Sequence, residues 1–185
     1  SAKDAGNVVN RLKEFYRPRE RTDALVPVDL NEIVEDVASL TEPKWKSMAR
    51  ANGKDIDLRM VLGADLPMVG GDASSLRTML TNLVINAVDA MPRGGTLTLK
   101  TANDGTIVRL EVSDTGVGMT NEVRLRAVEP FFSTKDGDGT GLGLAMVHGI
   151  VERHDGYMEV ESSLGEGTTF SIFFLPLVHK GVPTD

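Results

Sequence analysis

Residues 114–141 keep neither hydrophobic period: no strand-like alternation and no three-and-four helical spacing runs through them, while glycines recur. Regular patterns flank this stretch on both sides, so it lies inside a compact domain. Irregular segments of such length are uncommon there unless they bind something or move. Whatever the chain folds into must carry a long glycine-rich insertion between a strand and a helix.

The flanking patterns supply the rest of the architecture. Residues 4–19 are charged but place Val8, Val9, Leu12, Phe15 and Tyr16 three and four apart, which predicts an amphipathic helix. Residues 18–27 break that period with a proline at each end and read as a linker. Asp29 then opens a helix, with Glu32 three residues on in capping-box fashion and Leu30, Ile33, Val34, Val37 and Leu40 as its buried stripe; Pro43 is expected to end or kink it. Ile56, Leu58, Met60 and Leu62 alternate with Asp57, Arg59 and Val61, the period of a half-buried strand. A helix over 74–91, started near Asp72 or Ser74, is stopped by Pro92, Gly94 and Gly95. Two hairpins follow, over 96–113 and 157–175, with helical spacing resuming between them from Leu142 to Ile150. This order predicts an α+β domain, a two-layer α/β sandwich with a mixed sheet and helices on one face, preceded by one amphipathic helix. The corresponding division is 1–28 for helix and linker, 29–177 for the main domain and 178–185 for a tail.

Composition narrows the functional classes. The 185 residues include no cysteine, which excludes disulfide scaffolds, thiolate zinc sites and cysteine nucleophiles. With 20 Lys plus Arg against 27 Asp plus Glu, the net charge of −7 disfavours nucleic acid or anionic lipid as partner. No apolar run approaches the roughly 20 residues a bilayer span needs. The expectation is a soluble cytoplasmic domain, or a piece of something larger, without membrane contact of its own.

Four clusters could carry chemistry. Asn82, Asn86 and Asp89 are spaced four and three apart, so they fall within about 60° of one another on the helix over 74–91, at the edge of its apolar face. A solvated face explains three polar residues, yet asparagine is a poor helix former for that purpose and its amide oxygen is a hard ligand suited to Mg²⁺. Asp114-Thr115-Gly116-Val117-Gly118 stands at a strand end, either as a plain turn or as a carboxylate fixed to accept from an exocyclic amine. Gly139, Thr140, Gly141, Leu142, Gly143 and Leu144 lead into a helix, and can be a hinge or an amide cradle for phosphates. They match neither a Walker loop nor a dinucleotide fingerprint. In Glu129-Pro130-Phe131-Phe132-Ser133-Thr134-Lys135 the phenylalanines read as hydrophobic anchors of a mobile segment, and Lys135 could reach a phosphate as a point charge.

Taken in order, Asn82-Leu-Val-Ile-Asn86-Ala-Val-Asp89, Asp114-Thr-Gly116-Val-Gly118, Glu129-Pro-Phe-Phe, Gly139-Thr-Gly141-Leu-Gly143-Leu and Gly165-Glu-Gly167-Thr168 closely resemble the ATP-binding domain of sensor histidine kinases, in the superfamily shared with DNA gyrase, MutL and the large heat-shock chaperones. The resemblance spans about residues 29–177. It implies ATP and Mg²⁺: Asn86 on the metal, Asn82 toward the phosphates, Asp89 lining the site, Asp114 accepting from the adenine amino group, and Gly116 and Gly118 admitting the base. Residues 119–140 would form a lid, Gly139, Gly141 and Gly143 would give amides to phosphates, and Thr168 would help hold the adenine region.

The hydrolysing branches commonly carry a water-activating glutamate where this chain has Asn82. An amide cannot act as a general base, so the position favours phosphoryl transfer. The resemblance further implies as partners a histidine-bearing dimerisation domain of the same parent protein, which would be a homodimer, and a response regulator. The chain's own histidines lack the acceptor context: His148 and His154 read as structural and His179 as tail. Helix 4–16 resembles the end of the dimerisation hairpin. The alternatives are a nucleotide-dependent anti-sigma-type serine kinase or regulatory binding module, and a hydrolysing motor or chaperone fragment.

Overall fold

A computed structural model describes residues 26–134 and 139–177. The predicted helix at 4–19, Lys135, His179 and the tail lie outside the described residues.

Strand β1 (Val26–Val28) leads into helix α1 (Leu30–Glu42), whose N-cap Asp29 accepts from the backbone N–H groups of Asn31 and Glu32. Six residues of α1 are buried: Leu30, Ile33, Val34, Val37, Ala38 and Thr41. Leu40, expected in that stripe, is 67% exposed instead. At 100° per residue it lies about 90° round the helix from the stripe's centre. The regular α-helix stops at Glu42, with Pro43 as its C-cap, as expected. The chain continues through a π-helical turn, Pro43–Met48, and a last α-turn, Ala49–Ala51. A wider turn accommodates a ring that would clash with the carbonyl four residues back. Side chains satisfy carbonyls here: Thr41 Oγ1 donates to the Val37 oxygen at 2.6 Å and Trp45 Nε1 to that of Ala38 at 3.2 Å.

Strands β2 (Ile56–Val61) and β3 (Val69–Gly71) follow, then helix α2 (Ala73–Asp89), strands β4 (Gly95–Asn103) and β5 (Val108–Asp114), helices α3 (Asn121–Arg126) and α4 (Gly143–Arg153), and strands β6 (Tyr157–Ser163) and β7 (Gly167–Phe174). Five strands form one sheet in the order β2-β4-β5-β7-β6, parallel between β2 and β4 and antiparallel elsewhere. Its inner face aligns Leu99, Val112 and Phe170 across three strands, and Leu110 with Ile172. Against these pack α1, α2 and α4 in a single hydrophobic core. The mixed two-layer α+β sandwich is thus the fold expected from the element order.

Three elements escape the sequence patterns. β1 and β3 pair antiparallel as a separate two-stranded sheet, which brings Val26–Val28 out of the linker and into the folded body. Both are three residues long, too short to display a period. The six-residue α3 sits inside the supposedly irregular stretch, capped by Thr120, whose hydroxyl accepts from Val123 N at 3.2 Å. No helix among the described residues is long and apolar enough to cross a membrane.

Candidate functional site

Helix α2 buries Leu76, Met79, Leu80, Leu83, Val84, Ala87 and Val88. At roughly 1.5–3 kcal/mol per buried aliphatic side chain, that face fixes the helix's rotation. The rotation places Asn82, Asn86 and Asp89 along the rim of a cleft of about 590 Å³. The three polar residues therefore mark a wall of a cavity and not an open solvated face. Asn82 Nδ2 donates back to the Thr78 carbonyl at 2.8 Å, which holds its side chain in place.

The facing wall is the start of α4. Gly139, Thr140, Gly141 and Gly143 line the cleft, and a Cβ added at Gly143 would come within 3.5 Å of Asn82 Oδ1 and 3.7 Å of Asn86 Nδ2. No side chain caps α4 at Leu142. An uncapped helix N-terminus offers backbone N–H groups and the positive end of the helix dipole to an anion. Leu142 itself is 4% exposed and its side chain does not line the cleft. Gly141 adopts φ +65° and packs so tightly on the Phe131 backbone that a Cβ there would overlap it. Only glycine joins the two halves of the loop in this way.

The far end holds Asp114, the last residue of β5. It is 6% exposed, and its Oδ1 accepts from Gly116 N at 2.8 Å. Burial pushes its carboxyl above the usual aspartate value, and the backbone N–H groups of Gly116 and Thr168 pull only partly back. Thr168 is its direct cross-strand partner and shares a 2.8 Å hydroxyl contact with Ser162. Gly118, at φ +66°, runs against the Ser163 carbonyl where any side chain would collide. Gly116 packs against the Ala90 carbonyl, where a Cβ would collide. Between the two ends the walls are apolar: Ile85, Met119, Phe132, Leu144 and Phe170. An apolar region ending in one buried carboxylate, joined to a run of backbone amides, suits a ligand with an aromatic amine at one end and anionic groups at the other.

The sequence profile of the histidine kinase-, DNA gyrase B- and HSP90-like ATPases matches residues 71–179, which span α2, the glycine-rich loop, α4 and the last hairpin. The chain belongs to this family. Within the ATPase family it aligns with sensor kinases. Sensor kinase CckA of Brucella abortus is 37% identical over 97% of this chain, and sensor histidine kinase ZraS of Escherichia coli K12 is 35% identical over 90%. The chain spans 20% and 34% of the lengths of those two relatives. Among solved structures, full-length ShkA in complex with AMPPNP superposes with a TM-score of 0.76 at 32% identity, over 94% of this chain and 36% of that one. The nucleotide-free catalytic domain of histidine kinase ThkA gives 0.70 at 27% identity, over 82% and 95%.

In this member of the ATPase family, two features of the cleft went unread in the sequence. Lys44, on the π-helical turn, lines it and pairs with Asp89 at 3.6 Å. No periodic signal marks a residue delivered by a π turn. The paired phenylalanines also divide, which corrects their reading as joint anchors. Phe132 lines the cleft beneath the Arg126 guanidinium, 4.3 Å from its ring centre, whereas Phe131 is 67% exposed at φ +65°.

Proposed function

We propose that the cleft binds Mg-ATP and that the domain transfers the γ-phosphoryl group to a histidine on a dimerisation domain of the same parent protein, for relay to a response-regulator aspartate. One observation carries the reading: Asn82 and Asn86 meet the glycine run 139–143 and the uncapped start of α4 across a single cleft whose other end is the buried Asp114. The relatives' names and the AMPPNP bound to full-length ShkA support the same assignment.

In this reading Asp114 accepts from the adenine amino group, Gly116 and Gly118 shape the entry of the base, and Thr168 supports the adenine end. Gly139, Thr140, Gly141, Leu142 and Gly143 turn backbone amides toward the phosphates, and Lys135 adds a point charge. Asn86 would hold Mg²⁺ through its amide oxygen, a neutral hard donor that suits an ion shared with phosphates; Asp89 lines the same wall. Bound there, Mg²⁺ would neutralise charge on the phosphates. Asn82 orients the phosphates, and its amide cannot take a proton from water, so this position supplies no general base for hydrolysis. The acceptor histidine's ring nitrogen bonds to the γ-phosphorus as the bridging P–O bond breaks and ADP leaves. We place the domain in the cytoplasm without membrane contact, read residues 29–177, together with the strand Val26–Val28 that pairs with β3, as the kinase domain, the residues before it as the end of the dimerisation helix and its linker and 178–185 as a tail, and read the parent as a homodimer.

Mixing the chain with Mg-ATP and a separately produced dimerisation segment should label that segment's histidine, while the chain alone releases little phosphate. Asn86→Ala should lower transfer tenfold or more with the fold unchanged by circular dichroism. Steady phosphate release by the chain alone, or undiminished transfer by the variant, counts against the assignment.

A further inference from the structure

Lys44 is the second residue of the π-helical turn that follows α1. Such turns are rare and recur at functional sites, because the extra residue per turn re-aims the side chains that follow. Here the turn carries Lys44 to the cleft's rim, its Nζ 3.6 Å from Asp89 Oδ1. Among the described residues lining the cleft, Lys44 is the one cation, against two carboxylates, Asp89 and Asp114. A triphosphate tail brings several further negative charges into this space. The separation exceeds the roughly 2.7–2.9 Å of a committed charge-assisted hydrogen bond. With its side chain 40% exposed on a flexible four-carbon stem, the ammonium can leave Asp89 without unfolding anything.

We infer that Lys44 is a further phosphate-binding residue of this site: its ammonium, paired with Asp89, moves onto phosphate oxygens when nucleotide binds. The inference rests on the Mg-ATP reading above and adds to it a cation supplied from outside the matched family segment, by α1's extension rather than by the glycine-rich loop.

Isothermal titration of the chain with ATP, ADP and adenosine, each with Mg²⁺ present, tests this. Lys44→Met should weaken ATP on the order of tenfold and ADP measurably, leave adenosine unchanged, and keep the melting temperature, since a long exposed ion pair contributes little. Lys44→Arg should recover most of the ATP affinity. The loss should persist when Lys44→Met is made in an Asp89→Asn background. Equal losses for adenosine and ATP, or a loss that vanishes with Asp89→Asn, overturns the inference, because Lys44 then only positions α2 or neutralises Asp89. If the unaltered chain binds ATP and Lys44→Met binds it as well, this inference alone fails; if the unaltered chain binds no ATP, the Mg-ATP reading itself fails.

Discussion

At the scale of single residues, Asp114 ties position to chemistry most directly. A carboxylate at the end of β5 faces the core by alternation, and its burial raises its proton affinity above the ordinary value of 3.8. The acceptor needed by an adenine amine is lost as pH falls through that raised value. Adenosine affinity, measured by titration calorimetry between neutral and mildly acid pH, should therefore decline at higher pH than an unperturbed aspartate would allow. Asp114→Asn should remove that acid limb. The stability sign is opposite: ionising a buried acid costs the folded state, so the unaltered protein should gain on the Asn variant in melting temperature as pH falls. Glycines obey the same local logic. Gly118 and Gly141 are held at positive φ against neighbouring backbone, which makes them shape-determining before any ligand arrives.

At the scale of elements, the site depends on how α2 and α4 are bolted together. Asp72 caps α2, accepting from Ser75 N at 2.9 Å and from the Ser75 hydroxyl at 2.6 Å. Its backbone N–H donates to His154 Nε2 at 3.0 Å, while His154 Nδ1 faces the Ile150 carbonyl at 2.8 Å, so one imidazole links the end of α4 to the start of α2. Both ring nitrogens are thereby engaged within the fold. Asp72→Ala should cost about 1 kcal/mol in urea unfolding. Burial raises the Asp72 carboxyl, yet the Ser75 hydroxyl and the N–H groups of Ser75 and Ser74 outweigh it and hold the pKa below 3.8. That cap's contribution is present above pH 3.8 and disappears as pH falls through the lower folded value, so the difference between variant and parent should shrink in acid.

At the scale of the whole molecule, nucleotide would bridge α2, the glycine-rich loop, α4 and the ends of β5 and β7, all of which line the cleft. At a hundredfold excess over its dissociation constant, Mg-ATP should stabilise the folded state by about 2.7 kcal/mol. That corresponds to a rise of roughly 5–10 °C in melting temperature for a domain of this size; no shift in differential scanning fluorimetry would mean that the cleft is not the nucleotide site. Much of this organisation was legible in the chain. The stripe of Leu76, Leu80, Leu83, Ala87 and Met91, the alternation of Val108, Leu110 and Val112, and the cap at Asp29 are written in local periods and local hydrogen bonds, so the layers and their order follow from sequence alone. The motif residues were legible as well, because glycines and asparagines in those settings are locally unfavourable without a purpose. What the tertiary structure decided is everything set by distant neighbours. β1 and β3 are strands because each supplies the other's hydrogen bonds, Leu40 is exposed because it lies off the helix face that the core covers, and Phe131 and Phe132 part ways because one wall of a cleft lies on one side only. Lys44 reaches Asp89 through a π turn whose outcome depends on where α2 has been placed by its own core. Local chemistry selects the elements; which side chains then meet is fixed by packing, and no period in the chain encodes it.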